Sequence, residues 1–390
     1  QQIFKGFFFS TNQNRGIPGS LSWPSPKANR ENNIDLIGLQ YVYLMKDGHL
    51  RLHSYQRSSD EYFNDPDLSI NSHHRVKVSG IKFNGHQKLN DHIEFNGVID
   101  LKKESIRSSD VGDRNRKTIA TGIQATFKFV DRLNIQPGYR TDILDDFIEN
   151  TYDLTSSLNL STLGNLTMSF GTGFHAPTFN DLYWVSDSYS EGNPDLKIEH
   201  NQYRIVRWEN NFASMTNVSL EYRRRYSDNL ITWSSSENYI WKPKNIDKSE
   251  RKNIIMSVFI PMISPGLSIS GHVTRTVAID INTQKTLQHV PKSSANIFIN
   301  YKKKDLSIEC QGHYTGERPY QELDDNWEPV DITLNGFFDI DIGLHHLFPI
   351  QTHQLTLDLI IQNILNQNTD FFPDYPGPKR RIKLGIELIL

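Results

Sequence analysis

Apolar and polar residues alternate along nearly the whole of this 390-residue chain, and that period of two limits the fold more than any other feature. In the last segment Ile382, Leu384, Ile386, Leu388 and Leu390 share one parity, and Arg381, Lys383, Gly385 and Glu387 share the other. Leu355, Leu357, Leu359 and Ile361 alternate in the same way with Thr356, Asp358 and Gln362, as do Phe338, Ile340, Ile342 and Leu344 with Asp339, Asp341 and Gly343. Further upstream, Val218, Leu220 and Tyr222 oppose Ser219, Glu221 and Arg223, and Ala295, Ile297, Ile299 and Tyr301 oppose Ser294, Asn296 and Asn300. Successive side chains of a strand point to opposite faces, so each such segment carries one apolar and one polar face. Helical spacing with capping signals is hard to find, and the chain is expected to be all-β.

Charged residues at the centre of these segments, among them Glu221, Asp339, Asp341 and Asp358, would be costly in the tight core of a sandwich. Against a water-filled lumen they cost little. Alternation alone does not separate a membrane barrel from a soluble sheet with one wet face, so connection lengths carry the distinction. Roughly 18 segments can be read, most of about 10 to 16 residues, where soluble strands average about 5 or 6 and a tilted membrane strand needs about 9 to 11. Tight turns are expected at Lys46-Asp47-Gly48, Val130-Asp131, Thr162-Leu163-Gly164 and Lys303-Lys304-Asp305. Long polar or aromatic connections are expected from Asn12 to Glu31, Ser58 to Asn71, Glu104 to Arg114, Gly173 to Lys197, Asp280 to Pro291, Arg318 to Val330 and Leu365 to Pro378. Short turns at one end of the strands and long loops at the other are the pattern of an outer-membrane barrel. Aromatic residues near expected strand ends (Phe7, Phe8, Phe9, Tyr41, Tyr43, Tyr222, Tyr226, Phe337 and Phe338) fit an interfacial girdle, although β-propensity alone also enriches them.

Composition closes off other classes. No stretch approaches the roughly 18 consecutive apolar residues of a membrane helix, and the mean hydropathy is -0.54. A hydrophobic fraction of 37% suits strands that show one residue in two to lipid. A single cysteine, Cys310, rules out a disulfide framework and a multi-thiolate metal site. A net charge of -3 with scattered basic residues gives no field for nucleic acid. No Gly-rich phosphate loop, paired-Cys zinc pattern, H-E-x-x-H helix or nucleophile elbow occurs, so no enzymatic activity, cofactor or metal residue is expected. His73-His74 and His345-His346 invite a metal reading, but neighbours on a strand point apart and cannot chelate one ion together. Asp142, Asp145 and Asp146 in one expected outer loop, and Asp324-Asp325 in another, have the oxygen chemistry of calcium ligands, yet solvated loop charge is the expectation. The first residues, Gln1-Gln2-Ile3-Phe4, have neither an initiator Met nor a signal-peptide pattern.

The segment GTGFHAPTFNDLYWVSDSYSEGNPDLKIEH contains Gly171, Phe174, Ala176, Pro177, Thr178, Leu182 and Tyr183, followed by Gly192, Asn193, Pro194, Leu196 and Glu199. It closely resembles the mid-barrel signature of TonB-dependent receptors, G-x-x-F-R-A-P-T-x-x-x-L-Y followed by G-N-P-x-L-x-P-E. His175 stands where the family usually has Arg, and Ile198 where it usually has Pro. Pro177 removes a ladder donor and Gly192-Asn193-Pro194 makes a turn, so a strand is expected to end at Gly173 and the next to begin near Glu199. Asn363, Ile364, Asn366, Phe371, Tyr375, Pro376, Pro378 and Arg380 resemble the family's last hairpin, with Leu390 in place of the common final Phe. Arg15 to Gly19 and Pro26 to Arg30 resemble a loop of its cobalamin-receptor-like members.

The resemblance implies a transmembrane antiparallel β-barrel in the bacterial outer membrane, with residues 1–390 as one barrel domain. If the family barrel has about 22 strands, about 18 here implies that a plug and roughly 4 first strands lie upstream. It further implies a monomeric receptor, in contact with outer-membrane lipid, for energised uptake of a scarce bulky nutrient such as a siderophore-iron complex or a corrinoid. Energy would come from a TonB complex acting on the plug. A passive porin-like or structural barrel is the alternative. Trp184, Tyr189, Trp233 and Trp327 are the candidates for ligand contact, because amphipathic rings grip a bulky ligand with little loss of entropy.

Overall fold

The computed structural model describes residues 1–129, 132–145, 147–187, 190–212, 215–235, 240–323, 329–350 and 353–389. Eighteen of the strands among them belong to one sheet, and two more form a separate ribbon. The chain divides into two compact units, the first of Gln1–Asn159, Met168–Arg204 and Tyr226–Ser249, the second of Leu160–Thr167, Ile205–Arg225 and Glu250–Leu390.

In the first unit eight strands follow one another, each antiparallel to the next. They are β1 (Gln2–Gly16), β2 (Asn29–Met45), β3 (Gly48–Asp65), β4 (Ile70–Lys88), β5 (Ile93–Ser108), β6 (Gly112–Phe129), β7 (Leu133–Leu144) and β8 (Phe147–Asn159). Residues directly opposite in an antiparallel ladder share a face, so the register can be read across the strands. One row runs Leu39, Ser54, Ile81, Leu101, Ile119, Ile143, Ile148. The row one residue along runs Gln40, His53, Lys82, Asp100, Ala120, Asp142, Glu149. A shift of one residue thus moves from an apolar outward face to a polar inner one, as alternation requires.

Burial is inverted relative to a soluble protein. Among the described residues, apart from the prolines, only ten apolar side chains are buried, several of them alanines, while Leu384 is 81% and Ile386 77% exposed. Asp65, Asp142, Glu199, Glu221 and Glu250 are buried instead. Neighbouring charges on the inner face pair at i, i+2 along a strand, where side chains point the same way. Arg140 holds Asp142 in a bidentate pair at 2.7 Å for both bonds, Lys252 reaches Glu250 at 2.7 Å, and Arg223 pairs with Glu221. Such pairing lowers the cost of enclosing charge next to water, and the apolar side chains face outward to lipid.

Four strands contribute residues to both units: β9 (Asn165–His175), β10 (Glu199–Asn211), β11 (Asn217–Ser235) and β12 (Trp241–Ser264). The second unit continues with β13 (Leu267–Asp280), β14 (Ser293–Lys303), β15 (Leu306–Thr315), β16 (Arg318–Leu323), β17 (Pro329–Leu334), β18 (Phe337–Ile350), β19 (His353–Gln362) and β20 (Arg381–Ile389). β13, β14, β15, β18, β19 and β20 pair in that order, and β16 pairs with β17 as the separate ribbon.

Turns at Lys46-Asp47 and Lys304-Asp305 fall where expected, and a 3-10 turn at Ser161–Leu163 leads into Gly164, whose φ is +88°. Gly266 closes the β12–β13 turn at φ +81°, where a Cβ would come within 2.0 Å of the Lys302 carbonyl. The Val130-Asp131 turn lies outside the described residues. Three expected loops are corrected. Ser58 to Asn71 and Glu104 to Arg114 are mostly strand: Ser58 pairs with Lys77, Asp65 with Ile70, and Ser108 with Gly112. These hairpins continue past the apolar band, where both faces are wet and alternation disappears. Arg318 to Val330 contains β16 and the start of β17 rather than a plain loop. β9 also runs two residues beyond Gly173, to His175, while β10 begins at Glu199 as expected.

The aromatic girdle is only partly at strand ends. Phe7, Phe8 and Phe9 lie within β1, and pairing of Phe7 with Gly38 and Phe8 with Ile37 turns Phe7 inward and Phe8 outward. Tyr41 and Tyr43 lie near the end of β2, with Phe4 packed on Tyr41 at 4.6 Å between ring centres. Phe337 and Phe338 open β18, whereas Tyr222 and Tyr226 are inside β11.

Candidate ligand-capture site

The connection from β9 to β10, which carries the signature, is fixed to the first unit by a dense set of bonds. A single helical turn, α1 (Phe179–Tyr183), starts at Thr178 with a capping box. The Thr178 hydroxyl accepts from the Asp181 amide at 3.1 Å, and the Asp181 carboxylate accepts from the Thr178 amide at 2.8 Å and hydroxyl at 2.7 Å. Two orphan amides at the start of the turn are thereby satisfied. The other carboxylate oxygen of buried Asp181 accepts from the Trp233 indole at 2.9 Å, and its backbone carbonyl accepts from the Asn193 amide at 2.7 Å. One acid therefore joins α1, β11 and the Gly192-Asn193-Pro194 turn.

The signature residues act mainly as a fastening. A Cβ on Gly192 would stand 2.6 Å from the Trp184 amide nitrogen, so only glycine lets the turn approach α1 this closely. The Asn193 side chain donates to the Pro243 carbonyl at 3.0 Å, and Asn245 bridges the backbone of Lys197 and Asn229. Gly171 makes room for the Tyr203 side chain, whose hydroxyl a Cβ would meet at 2.5 Å and whose ring it would meet at 2.6 Å. Phe174 and Ala176 are half-buried and Pro177 is buried. Arg116 donates to the Pro177 carbonyl at 2.8 Å and lies over the Phe179 ring at 5.0 Å, while Arg114 lies over the Tyr183 ring at 4.4 Å. These cation–ring contacts line a cavity of about 230 Å³, with Leu182, Pro194, Leu196 and Ile198 on its apolar side. Glu199 is buried at the start of β10, and His200 bonds Glu149 at 2.9 Å.

Of the expected ligand-contact residues, Trp184 and Trp233 belong to this cluster, and Tyr189 and Trp327 lie outside the described residues. The Trp184 indole donates to Asp187 at 3.3 Å, its ring is 6.5 Å from that of His74, and the Val185 amide is anchored to the Asp110 carbonyl at 2.7 Å. Trp233 commits its N–H to Asp181 and leaves only ring surface. Arg114, Arg116 and Asp181 were missed by sequence reasoning. Thr178-x-x-Asp181 is a capping-box spacing and was the available signal.

The histidine pairs divide between faces. His73 stacks on Tyr62 at 3.9 Å and bonds Asp60 at 2.6 Å, whereas His74 bonds Ser108 at 2.8 Å. His345 bonds Asp358 at 2.6 Å, and His346 stacks on Phe348 at 4.2 Å. Asp142 lies in β7, not in a loop, because that strand continues to Leu144. Asp145 caps the Lys117 amide at 3.0 Å. Asp146, Asp324 and Asp325 lie outside the described residues.

A second fastening lies within the second unit. Buried Arg318 donates to the carbonyls of Phe371 at 2.8 and 3.1 Å, Asn335 at 3.3 Å and Asp370, and lies between the Phe337 and Phe371 rings. Asn363 organises the same β19–β20 connection, accepting from the Gln367 amide at 2.9 Å and donating to the Gln367 and Pro378 carbonyls at 2.9 and 3.0 Å. His289 packs edge-on against Tyr320 and Phe372 beside this arginine, and its amide donates to the Pro319 carbonyl at 2.8 Å. Burial first, and the Arg318 charge second, hold its imidazole below the ordinary range. The folded chain then binds this proton less readily than the unfolded one, so the contribution is intact above the ordinary imidazole value of about 6.5 and is lost as pH falls through the folded value. Protease sensitivity of residues 281–292 is expected to rise between pH 7.5 and pH 5, and His289→Gln to flatten that dependence. An unchanged profile in the variant would refute the assignment.

Long strands with apolar outward faces and charged inner faces, tied by an anchored connection at one end, have the character of an outer-membrane β-barrel wall. Residues 4–364 match the family described as TonB dependent receptor-like, beta-barrel, and the chain belongs to that family, as an outer-membrane protein. Among curated relatives it is 26% identical over 278 residues to a vitamin B12 transporter, BtuB, of Photobacterium profundum, covering 67% of this chain and 43% of the relative. A protein of the same name from Vibrio vulnificus strain CMCP6 is 22% identical over 79% of this chain and 49% of its own length. The chain thus spans less than half the length of these relatives. The siderophore receptor PirA of Acinetobacter baumannii superposes with a TM-score of 0.83 at 13% identity, over 100% of this chain and 68% of that one. The ferric enterobactin receptor PfeA of Pseudomonas aeruginosa does so with a TM-score of 0.77 at 13% identity, over 92% and 62%. At such identities these two establish the shared fold.

Proposed function

We propose that this chain forms the barrel wall of a receptor for energised uptake of a scarce, bulky nutrient, with a corrinoid the first candidate and a siderophore-iron complex the second. The observation that carries the reading is the anchored connection between β9 and β10, which holds the rings of Phe179, Tyr183 and Trp184 against Arg114, Arg116 and His74. Rigid rings over cations suit capture of a large ligand with conjugated or acidic groups, since little entropy is lost on contact. The curated relatives named above as vitamin B12 transporters support the corrinoid. Binding and passage involve no covalent chemistry, and the receptor works as a monomer. A plug segment that is not among these 390 residues would take energy from a TonB complex.

Growth of a strain deleted for the full-length gene, on limiting corrinoid or on defined iron chelates, tests the ligand class. Growth is expected to fail on corrinoid and to recover with the intact gene. Trp184→Ala in the full-length receptor is expected to weaken ligand binding roughly ten- to thirtyfold. Growth independent of the gene on every corrinoid and chelate would overturn the uptake reading, and free passage of unrelated small solutes would point to a passive pore.

A further inference from the structure

We infer that the outward face of strands β2 to β6 carries a binding groove for one acyl chain and the phosphate of a membrane lipid, on the side of the long connections. The groove is a concavity of about 630 Å³. Its floor is formed where Ser54 on β3 and Ser79 on β4 bring small side chains to the outward face between larger neighbours. Ile37 and Leu39 stand on one flank, and Ile81, Leu101 and Ile119 on the other, all of them exposed. A mostly apolar trough on a lipid-facing surface accepts an alkyl chain, because packing fills space that a flat wall would not offer.

The upper end of the trough is cationic. Lys103 and Lys117 line it and stand directly opposite each other in the β5–β6 ladder, one row above Leu101 and Ile119. Lys77 lies on the adjacent strand in the next row on the same outward face, since Ser79 shares a row with Lys103 and Lys77 precedes it by two. Like charges directly opposite in a ladder repel, and none of the three ammonium groups has a carboxylate within ion-pair distance among the described residues. The neighbouring acids are committed elsewhere. Asp145 accepts from the Lys117 amide at 3.0 Å, Asp35 from Ser10 at 2.7 Å, Asp60 binds His73 and Arg75, and Asp113 faces Arg107 at 3.5 Å. Long lysine stems lie along apolar surface and lift their charge to the headgroup level. A phosphate placed there meets two or three unpaired cations and relieves their repulsion, while the acyl chain below fills the trough.

The test uses the full-length receptor extracted from its outer membrane in mild detergent, with bound lipid read by native mass spectrometry and by phosphorus per polypeptide. Lys103→Ala/Lys117→Ala is expected to weaken retention of a phosphorylated glycolipid roughly thirtyfold. Ser79→Phe, which fills the floor without touching charge, is expected to give a comparable loss, and Lys88→Ala at the other end of β4 to give none. Heat-modifiable mobility reports that each variant has folded. Titration with the dephosphorylated glycolipid, phosphatidylglycerol and inorganic phosphate separates the sources. The inference stands if phosphate and acyl chain are both needed. It is overturned if the lysine variant keeps its lipid, if dephosphorylated lipid binds equally well, or if inorganic phosphate binds as tightly as lipid does.

Discussion

Arg318→Ala is expected to release the β16–β17 ribbon from the β19–β20 connection, with a local cost of about 3–5 kcal/mol. The wild-type guanidinium satisfies carbonyls of Asn335, Asp370 and Phe371 at once and fills the space between two phenylalanine rings. Truncation takes the shared donor from those carbonyls and opens a void where the buried guanidinium stood, beside the Phe337 and Phe371 rings. Arg318→Lys is expected to recover only a minor part, because an ammonium cannot span three carbonyls with a planar fork. Hydrogen exchange over 316–323 and 363–380 reads the effect directly, and the mobility of the folded barrel in detergent should stay unchanged. Equal protection in the alanine variant would show that the ribbon is held by other means.

The position of that arginine explains where sequence reading stops. Strand identity was legible because a face exposed to lipid and a face exposed to water impose opposite demands at successive residues, as in the rows through Leu101 and Asp100. Where the β3–β4 hairpin rises above the apolar band, Ser58 to Asp65 meets water on both sides, the demand vanishes, and a strand reads as a loop. Arg318 is invisible for a different reason. Its partners are backbone carbonyls, which every residue supplies, so no side-chain pattern marks them. Asp181 had a local signal in its spacing from Thr178, but a five-residue helix is too short for a periodic pattern to draw attention to it. The lipid groove depends on Ser54 and Ser79 lying diagonally across the β3–β4 ladder on one face, which requires register as well as parity. Of the loop aromatics that the sequence offers for ligand contact, Trp184 and Trp233 flank the anchored connection. Their N–H groups are spent on Asp187 and Asp181, a division that sequence does not specify.

Asp181→Leu is expected to have the largest effect on capture, because it removes the acceptor shared by Thr178 and Trp233 while adding bulk at a buried position. Three donors, the Thr178 amide and hydroxyl and the Trp233 indole, lose a charged partner; the exposed hydroxyl can turn to water, and the two N–H bonds contribute about 1.5–3 kcal/mol each. The resulting local loss of about 3–5 kcal/mol exceeds what a five-residue helical turn can recover from its own backbone bonds. Residues 176–198 would then exchange rapidly, and the rings of Phe179, Tyr183 and Trp184 would no longer be held against Arg114, Arg116 and His74. Asp181→Asn separates geometry from charge. Its amide oxygen can still accept from one donor, so the turn is expected to persist with weaker protection while ligand binding falls by a smaller factor. If the leucine variant of the full-length receptor bound ligand as the wild type does, with the connection demonstrably loosened, capture would have to reside on other loops. If binding and exchange protection fell together and the asparagine variant lay between, the order imposed by one buried carboxylate would be what makes the β9–β10 connection a binding surface.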